Sequence, residues 1–316
     1  MCPYRDCTSL NKLAHGIITL FVSSFAYSQG QIQTWLRLKS PIMQMSLSHS
    51  ERFLAFTEKE TLKLFVLDLL SKEIVPVSKN ALYDSNFIWL PYGTHILYRE
   101  TTKNKDQINS RIFIYDCVRK HSGKVAEYPY ATSSVIFSPT SHTLYATYKN
   151  EFIVKKFHYP DARKKAVQTL LGDWVYRQGT LLYLARNGAV PEEVYQGERI
   201  LNSDTSLKGE LLFADEKHKL FRASQKREVQ FVDDGARPKW HLSGLKFIYA
   251  GARILGDRVI GFDIKISSDT QEKTWLTHAS FRTPPQAIWF DQGKKILFSP
   301  QETTDLLILD DFHDSI

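Results

Sequence analysis

The sequence predicts an all-β protein, and three observations support this. Aromatic residues make up 13% of the 316 residues, with 6 Trp, 15 Tyr and 19 Phe, and such residues favour strands over helices. Short apolar runs alternate with turn residues along the chain. A helix-like pattern is confined to Ala162 to Leu171, where a fourth strand of a sheet is the simpler interpretation.

One short pattern recurs: a turn residue, often Gly, followed by an apolar-apolar-aromatic step. A period of about 40 residues is typical of four-stranded propeller blades. The aromatic ends lie 30 to 49 residues apart, at Phe56, Tyr98, Tyr145, Tyr183, Phe213, Tyr249 and Phe298. We therefore expect a β-propeller of seven blades. Six blades is the alternative, because the short segment between Tyr183 and Phe213 could belong to one enlarged blade.

Each aromatic step is predicted to be the second strand of a blade. A short aromatic first strand precedes it, as at Phe87 to Leu90 and at Ala287 to Phe290. A third strand follows, as at Leu62 to Leu69, and then a more polar fourth strand, as at Lys72 to Val77. The blades should therefore repeat one order of four antiparallel strands.

The two ends of the chain predict how the ring closes. The last repeat ends at Asp310-Asp311 without a fourth strand, whereas Gln31 to Lys39 is a spare strand before the first repeat. Pairing this strand with the last blade would leave no open edge between the ends of the chain. We expect the N-terminal strand to complete the last blade.

The first 28 residues have the layout of a secretory signal peptide. A weakly basic start precedes the apolar run Gly16 to Phe25 and the small residues of Ala26-Tyr27-Ser28. That run is too short to span a bilayer as a helix. The domain prediction is a signal peptide at 1–28 and a single β-propeller domain at 29–316. Because no later stretch is long and apolar enough to span, we expect a bacterial protein without a transmembrane segment, periplasmic or secreted.

The composition also limits the classes of partner. The formal net charge is +7, which is modest for this length and does not predict nucleic-acid binding. Once the signal peptide is removed, Cys117 is the remaining cysteine, so no internal disulfide is predicted. We expect a monomer whose partner is another envelope or secreted protein, with a glycan as a further possibility.

The first strands and turns of several repeats resemble the TolB-type propeller repeat, a relative of the WD repeat. The resemblance rests on FIWLPYGTHILY from Phe87, VIFSPTSHTLYA from Val135 and AIWFDQGKKILF from Ala287, and extends over about residues 31 to 311. Ser138-Pro139 keeps the Ser-Pro pair of that motif, whereas Asp291-Gln292 replaces it. The resemblance implies a free-standing propeller, since there is no room for the α/β domain that precedes the propeller in TolB.

No catalytic, metal or cofactor site is predicted. The sequence lacks nucleophile-elbow, zinc-helix, Walker and Rossmann motifs, and its 10 His are scattered among different repeats. Asp233-Asp234-Gly235 reads as a turn before a blade. Strand-end hydrogen bonds to the following turn are the expected role of Asp68, Asp116, Asp263 and Asp310. The alternatives are a lactonase- or lyase-like propeller enzyme with a metal at the channel mouth, or a carbohydrate-binding propeller.

The longer loops predict where recognition occurs. Thr101 to Ser110, Asn187 to Glu192, Gly251 to Asp257 and Gln301 to Thr304 should share one face with the connections between blades. The candidate binding residues of this loop face are Arg99, Lys103, Lys105, Arg186, Arg253 and Asp257. The basic pairs and triplets elsewhere, such as Arg163-Lys164-Lys165, are expected at the solvent-exposed rim. The predicted function is therefore a non-catalytic binding or scaffold protein.

Overall fold

The computed structural model describes residues 31–82, 87–90, 93–104, 107–130, 136–138, 143–148, 151–156, 174–178, 181–185, 192–206, 209–224, 228–268, 273–277 and 280–310. These residues form β-strands and no helix, as the composition predicts. Accordingly, no helix of the length and hydrophobicity needed to cross a bilayer occurs among them. The proposed signal peptide and the helix-like stretch at 162–171 lie outside the described residues.

The first half of the chain forms an N-terminal strand and three antiparallel sheets. The N-terminal strand is β1 (Gln31–Arg37). The first sheet contains β2 (Ile42–Leu47), β3 (Phe53–Glu58), β4 (Leu64–Asp68) and β5 (Ile74–Pro76). The second contains β6 (Phe87–Trp89), β7 (His95–Asn104), β8 (Gln107–Asp116) and β9 (His121–Tyr128). The third contains β10 (Ile136–Ser138), β11 (Thr143–Tyr148) and β12 (Glu151–Lys156).

The second half forms a fourth sheet, a seven-stranded sheet and a last sheet. The fourth contains β13 (Trp174–Gln178), β14 (Leu181–Ala185) and β15 (Glu192–Gln196). The seven-stranded sheet contains β16 (Ile200–Thr205), β17 (Leu211–Asp215), β18 (Lys219–Ala223), β19 (Val229–Trp240), β20 (Lys246–Leu255), β21 (Arg258–Ser268) and β22 (Lys273–Trp275). The last sheet contains β23 (Gln286–Phe290), β24 (Lys295–Ser299) and β25 (Asp305–Asp310), with β1 paired to β25.

The pairing of β1 with β25 agrees with the role predicted for the N-terminal strand. Gln31 lies opposite Asp310, and Arg37 lies opposite Asp305, with which it also forms a 3.1 Å ion pair. β1 therefore occupies the outer position of the last sheet, next to β25. Just after β1, Leu38 is buried against residues of both the first and the last sheet.

The strand β19 is shared by two halves of the seven-stranded sheet. Residues 229–234 pair with β18, and residues 235–240 pair with β20. The predicted turn at Asp233-Asp234-Gly235 is therefore wrong, because these residues continue one strand. A Cβ on Gly235 would lie 2.7 Å from the carbonyl oxygen of Ala250, so glycine allows the close approach of β20 here. Because every pairing is antiparallel, β16 and β19 run in opposite directions.

Apolar clusters lie between neighbouring sheets. The first sheet packs against the second through Phe53, Leu64, Phe87 and Tyr98, and against the last through Ile42, Phe56, Ile288 and Leu297. Further clusters join the fourth sheet to the first half of the seven-stranded sheet, join its two halves, and join its second half to the last sheet. Five of the aromatic residues that define the sequence repeat belong to the core between sheets, as predicted: Phe56, Tyr98, Phe213, Tyr249 and Phe298.

Two tryptophans connect neighbouring sheets by hydrogen bonds. The indole of Trp89 donates to the carbonyl of Ser46, and that of Trp289 donates to the carbonyl of Lys239, both at 3.1 Å. Each Trp lies in a first strand, and each acceptor lies in the first strand of the preceding unit. A buried indole needs such an acceptor, which explains how a polar group is tolerated at this position.

The turns between first and second strands use glycine for two reasons. Gly93, Gly209, Gly244 and Gly293 all have φ between 65° and 82°, a region that other residues enter at a cost. Gly93 also packs closely, because a Cβ there would lie 3.0 Å from the backbone nitrogen of Ser50 in the preceding turn. The recurring Gly of the sequence pattern is thus fixed by backbone conformation and packing.

The aspartates at the ends of third strands have the predicted structural role in two cases. Oδ1 of Asp68 accepts hydrogen bonds from the backbone N–H groups of Leu70 and Ser71. Oδ1 of Asp116 accepts from Val118 and Arg119 in the same way. The prediction fails for Asp263, which lies inside β21 and is fully buried.

Candidate functional site

Two hairpins are much longer than the others described, and both replace predicted loops. β7 and β8 pair from His95–Asp116 to Asn104–Gln107, so Thr101 to Ser110 is mostly strand. β20 and β21 pair from Lys246–Ser268 to Leu255–Arg258, so Gly251 to Asp257 is mostly strand as well. The loop predictions at these two places are wrong. Gly251 is a close-packing glycine, since a Cβ there would lie 2.5 Å from Cδ of Lys265.

The end of the β20–β21 hairpin exposes a cluster of aliphatic side chains. The turn is formed by Gly256, with φ of 61°, and Asp257, a pair that suits a two-residue hairpin turn. We call the exposed cluster the apolar tip; its members are Ile254, Leu255, Val259 and Ile260, with exposed fractions of 44%, 71%, 41% and 59%. The β-branched members favour the extended strand, but none of the four belongs to a core cluster of the described residues.

The base of the same hairpin is held by a buried carboxylate. Asp263 has no exposed surface and forms an ion pair with Arg253 of the facing strand. Its other oxygen, Oδ1, accepts hydrogen bonds from the Thr277 hydroxyl and the Ser280 backbone N–H, both at 3.0 Å. The Arg253 guanidinium also lies 5.3 Å from the ring centre of Trp275. These contacts fix where the hairpin leaves the sheet.

A second buried charge cluster lies between the two halves of the seven-stranded sheet. Nζ of Lys265 is 2.9 Å from Oδ2 of Asp233 and 3.8 Å from the ring centre of Trp275. The Tyr249 hydroxyl donates to the same Asp233 oxygen at 2.5 Å. Burial favours a higher pKa for Asp233, but the hydrogen bonds from Tyr249 and Lys265 and the nearby lysine charges outweigh it and lower the pKa. All members have partners, so this cluster is structural.

A cleft opens beside this cluster on the outer part of the seven-stranded sheet. Its lining combines aromatic, hydroxyl and basic groups: Phe231, Phe247, Ser267, Ser268, Arg222 and Lys273. Both cations are engaged, Arg222 with the Glu210 carboxylate at 2.7 and 2.9 Å and Lys273 with the Val232 carbonyl. Phe231 is 56% exposed. The cleft therefore offers an exposed aromatic face beside hydroxyl groups.

Near the start of the second half of the seven-stranded sheet, two polar side chains approach each other. His218 ends the turn between β17 and β18, and its carbonyl accepts the Gly235 N–H at 2.6 Å. Arg237 follows two residues later in β19, and its N–H donates to Oδ1 of Asn202 at 2.9 Å. The buried carboxylate of Asp215 shapes the turn by accepting the N–H groups of Lys217 and Lys219.

Both side chains retain buried nitrogens that find no partner among the described residues. These atoms are Nδ1 of His218 and Nη1 of Arg237. Leaving a buried polar atom unpaired costs on the order of 1–3 kcal/mol. Both residues also adopt left-handed backbone conformations, with φ of 59° and 55°. A buried nitrogen that the described protein groups leave unpaired is free to hydrogen-bond a water molecule or a ligand.

The electrostatics of this pair follow from burial and from two neighbours. Burial lowers the pKa of Arg237 to about 10, and the Glu302 carboxylate partly offsets this effect, so the guanidinium stays charged at neutral pH. Burial also lowers the pKa of His218, the Arg237 charge lowers it further, and Asp215 opposes the shift. His218 is therefore mainly neutral at neutral pH.

The candidate residues from the sequence fall in different places. Arg99 is buried in the middle of β7 with 3% of its surface exposed, and Lys103 lies near the end of the same strand. Lys105 and Arg186 lie outside the described residues. Arg253 is half-buried at the base of the β20–β21 hairpin, and Asp257 is exposed in its turn. The structure thus places Arg253 and Asp257 on one hairpin and Arg99 and Lys103 on the other.

His218 and Arg237 were not singled out from the sequence. His218 stands between two lysines in what reads as an ordinary turn, and Arg237 stands beside Pro238. A left-handed backbone at a residue other than glycine or asparagine leaves no sequence signal. Among the residues that the structure describes, no group of three or more His, Cys, Asp or Glu side chains is placed to hold a metal ion.

Comparison with solved structures establishes the fold. U3-55K aligns with a TM-score of 0.58 and 8% identity, over 89% of this chain and 98% of its own. The β-propeller domain of Myceliophteria thermophila Cps50 (Swd1) aligns with a TM-score of 0.54 and 10% identity, over 88% and 99%. The chain has a β-propeller fold. A manganese-bound oligogalacturonate lyase aligns with a TM-score of 0.45 and 12% identity, over 85% of this chain and 77% of its own. No protein-family model matches this propeller, and no curated protein matches it in sequence.

Proposed function

We propose that this propeller is an exported, non-catalytic binding protein that captures another envelope or secreted protein through the apolar tip of the β20–β21 hairpin. The observation that carries the proposal is the group of four exposed aliphatic side chains at the end of this long, paired hairpin. Exposed apolar clusters of this kind mark interaction surfaces. The ordered signal-peptide pattern of residues 1–28 supports export.

A protein surface suits the apolar tip better than a lipid surface. The two charges in the turn, Asp257 and Arg258, cancel each other. Arg253 is already paired with Asp263 at the hairpin base. Peripheral binding to anionic membranes usually needs an excess of Lys and Arg beside the apolar residues. The tip lacks that excess, so an apolar protein groove is the proposed partner surface.

A photo-crosslinking residue placed at Leu255 tests this proposal. Leu70, which is 80% exposed in the turn after β4, provides a matched control position. We expect one discrete adduct with a protein of the native envelope fraction from position 255 and none from position 70. The captured protein, once purified, should bind the wild type at least about tenfold more tightly than Leu255→Thr/Ile260→Thr, a loss of about 1.4 kcal/mol.

Three results would overturn the proposal. One is equal adduct formation at positions 255 and 70, which would indicate non-specific contact. Another is unchanged affinity of the purified partner for the double variant. The third is tip-dependent binding to vesicles containing anionic lipid, with no protein adduct, which would identify a membrane surface instead.

We further propose a closed ring of seven blades of the TolB type. In this arrangement the seven-stranded sheet counts as two blades that share β19, and β1 closes the ring within the last blade. Support comes from the β1–β25 pairing and from the cluster that packs the first sheet against the last. Deleting residues 29–40 should lower the melting temperature of the mature protein by at least about 10 °C, since strand pairing and the Leu38 contact are lost together. An unchanged melting curve would contradict closure by this strand.

The cleft at Phe231 favours carbohydrate as a second candidate ligand. An exposed aromatic face beside hydroxyl groups suits a sugar ring. A glycan array probed with the wild type and with Phe231→Ala would test this role. Glycan binding that persists in Phe231→Ala, or no glycan binding at all, would contradict carbohydrate binding in the cleft. The proposal for the hairpin would be unaffected.

A further inference from the structure

We propose that Arg237 and His218 form an oxyanion site that binds a small organic monocarboxylate. The site is separate from the apolar tip and does not depend on the protein-binding function proposed above. Three features of the described residues carry it: unpaired buried nitrogens, adjacent placement and the balance of charge around them.

The first feature is hydrogen-bonding capacity that the fold leaves unused. Nη1 of Arg237 carries N–H donors, and Nδ1 of His218 is a donor in one neutral tautomer. Neither atom has a partner among the described residues. Buried donors are nearly always satisfied in native proteins, by protein, water or ligand. The two residues are partly exposed as a whole, but the two nitrogens themselves are buried, so a ligand must displace neighbouring side chains to reach them.

The second feature is the way the fold holds the two side chains together. The 2.6 Å hydrogen bond from Gly235 to the His218 carbonyl fixes the turn against the strand that carries Arg237. The charge of Arg237 acts directly on the His218 ring. Phe262 meets the His218 ring edge to face at 5.0 Å and provides an apolar surface for the carbon part of a ligand.

The third feature selects the kind of anion. Arg237 is a single cation, the Glu302 carboxylate acts on it, and His218 is mainly neutral at pH 7. The Asp215 carboxylate also acts on His218, so the surroundings of the pair carry no excess of positive charge and disfavour each further negative charge. A planar carboxylate matches the guanidinium geometry and adds one negative charge, whereas phosphate adds nearly two. A monocarboxylate fits this balance better.

Ring-nitrogen NMR of His218 tests the site, with acetate, inorganic phosphate and chloride as probes at equal ionic strength. Acetate should give a saturable shift, phosphate should bind more weakly, and chloride should give no saturation. Arg237→Gln should weaken acetate binding at least tenfold. Arg237→Lys should recover part of the affinity, because a lysine keeps the charge without the planar pair of donors. Arg258→Gln, at the exposed hairpin turn, is the matched control and should bind as the wild type does.

A second variant keeps the test decisive if Arg237→Gln fails to fold. Glu302→Gln removes the carboxylate that acts on Arg237 while keeping an oxygen for the Thr283 N–H and hydroxyl. It should bind acetate several-fold more tightly than the wild type. The proposal is overturned if no probe gives saturation, if Arg237→Gln and the wild type bind equally, if Glu302→Gln leaves affinity unchanged, or if phosphate binds more tightly than acetate.

Discussion

The two long hairpins of this propeller, β7–β8 and β20–β21, share a construction but differ in the residue types at their ends. The sequence of the first is polar throughout 101–107, whereas β20–β21 ends in the apolar tip. Each is anchored by a buried carboxylate, Glu100 in the first and Asp263 in the second. The comparison teaches that the anchor and the tip are independent: a similar base can carry either a polar or an apolar end. The apolar end therefore requires a functional explanation.

The largest expected effect comes from Asp263→Asn at the base of the β20–β21 hairpin. The amide leaves Arg253 without its buried counter-charge, and its NH₂ group faces donors. Breaking a buried ion pair by removing one partner typically costs several kcal/mol, so we expect a loss of about 3 kcal/mol in the free energy of unfolding. Urea denaturation measures this loss. A loss below about 1 kcal/mol would show that the hairpin base does not depend on the charge.

The matched change in the other hairpin, Glu100→Gln, should cost less. Glu100 accepts the Lys79 backbone N–H at 2.9 Å and the Asn80 side-chain amide at 2.8 Å, and both donors are neutral. One of these bonds survives in Gln, so a loss of about 1–2 kcal/mol is expected in the same urea experiment. If Glu100→Gln proved as costly as Asp263→Asn, the two anchors would be equivalent and the comparison between them would fail.

A smaller effect is expected at the apolar tip itself. Leu255→Thr/Ile260→Thr changes exposed positions and keeps residues that favour strands, so the free energy of unfolding should stay within about 0.5 kcal/mol of the wild type. Thermal and urea unfolding check this, with Leu70→Thr as the exposed control outside the hairpin. A loss above 1 kcal/mol would mean that the tip packs against the propeller rather than serving a partner.

The smallest expected effect is a loss of stability at low pH, and it should be larger in the β20–β21 hairpin than in β7–β8. The pKa of His218 in the folded protein lies below its ordinary value of 6.5, mainly because of burial. The unfolded chain therefore binds the proton first, and the stability contributed by neutral His218 is lost as the pH falls from about 6.5 towards the lowered pKa. Phe262 of β21 contacts this ring, so amide protection factors, corrected for the intrinsic pH dependence of exchange, should fall in β20–β21 more than in β7–β8 between pH 7 and 5.

The control for this pH effect is His218→Gln, which removes the titrating ring. His49 also has a pKa lowered by burial and contributes its own loss in the same direction, so the wild type and the variant must be compared over one pH series. The variant should lose less stability than the wild type over that range. Identical pH profiles would place the whole effect on other groups.

The sequence predicted the parts of this structure that depend on local pattern. The structure has a strand at the aromatic step ending at Tyr98 and another at the N-terminus, both where expected. Both could be predicted because hydrophobic periodicity and turn glycines are local features of the sequence. The continuity of β19 was missed because Asp233 has the composition of a turn. Its partners Tyr249 and Lys265 come from strands that are distant in sequence and keep the backbone extended.

The same reasoning explains why the candidate sites were only partly predicted. Arg253 and Asp257 were selected as loop residues, and both lie on the long hairpin, but the loop itself is strand. The apolar residues next to them read as ordinary core strand, since exposure of Leu255 depends on how far β19 and β22 extend along their neighbours. The His218–Arg237 pair depends on left-handed backbone conformations, which neither residue type predicts.

The continuous strand β19 has a consequence for how the molecule comes apart. Side-chain contacts join the other neighbouring sheets whose packing is described. These two halves are instead joined by an unbroken strand whose hydrogen bonds reach β18 on one side and β20 on the other. Neither half can lose its share of β19 without fraying the other, so β16 to β22 should open and close as one cooperative unit. Under pulling force or heat, separation should begin at the boundaries between sheets and spare this double unit until last.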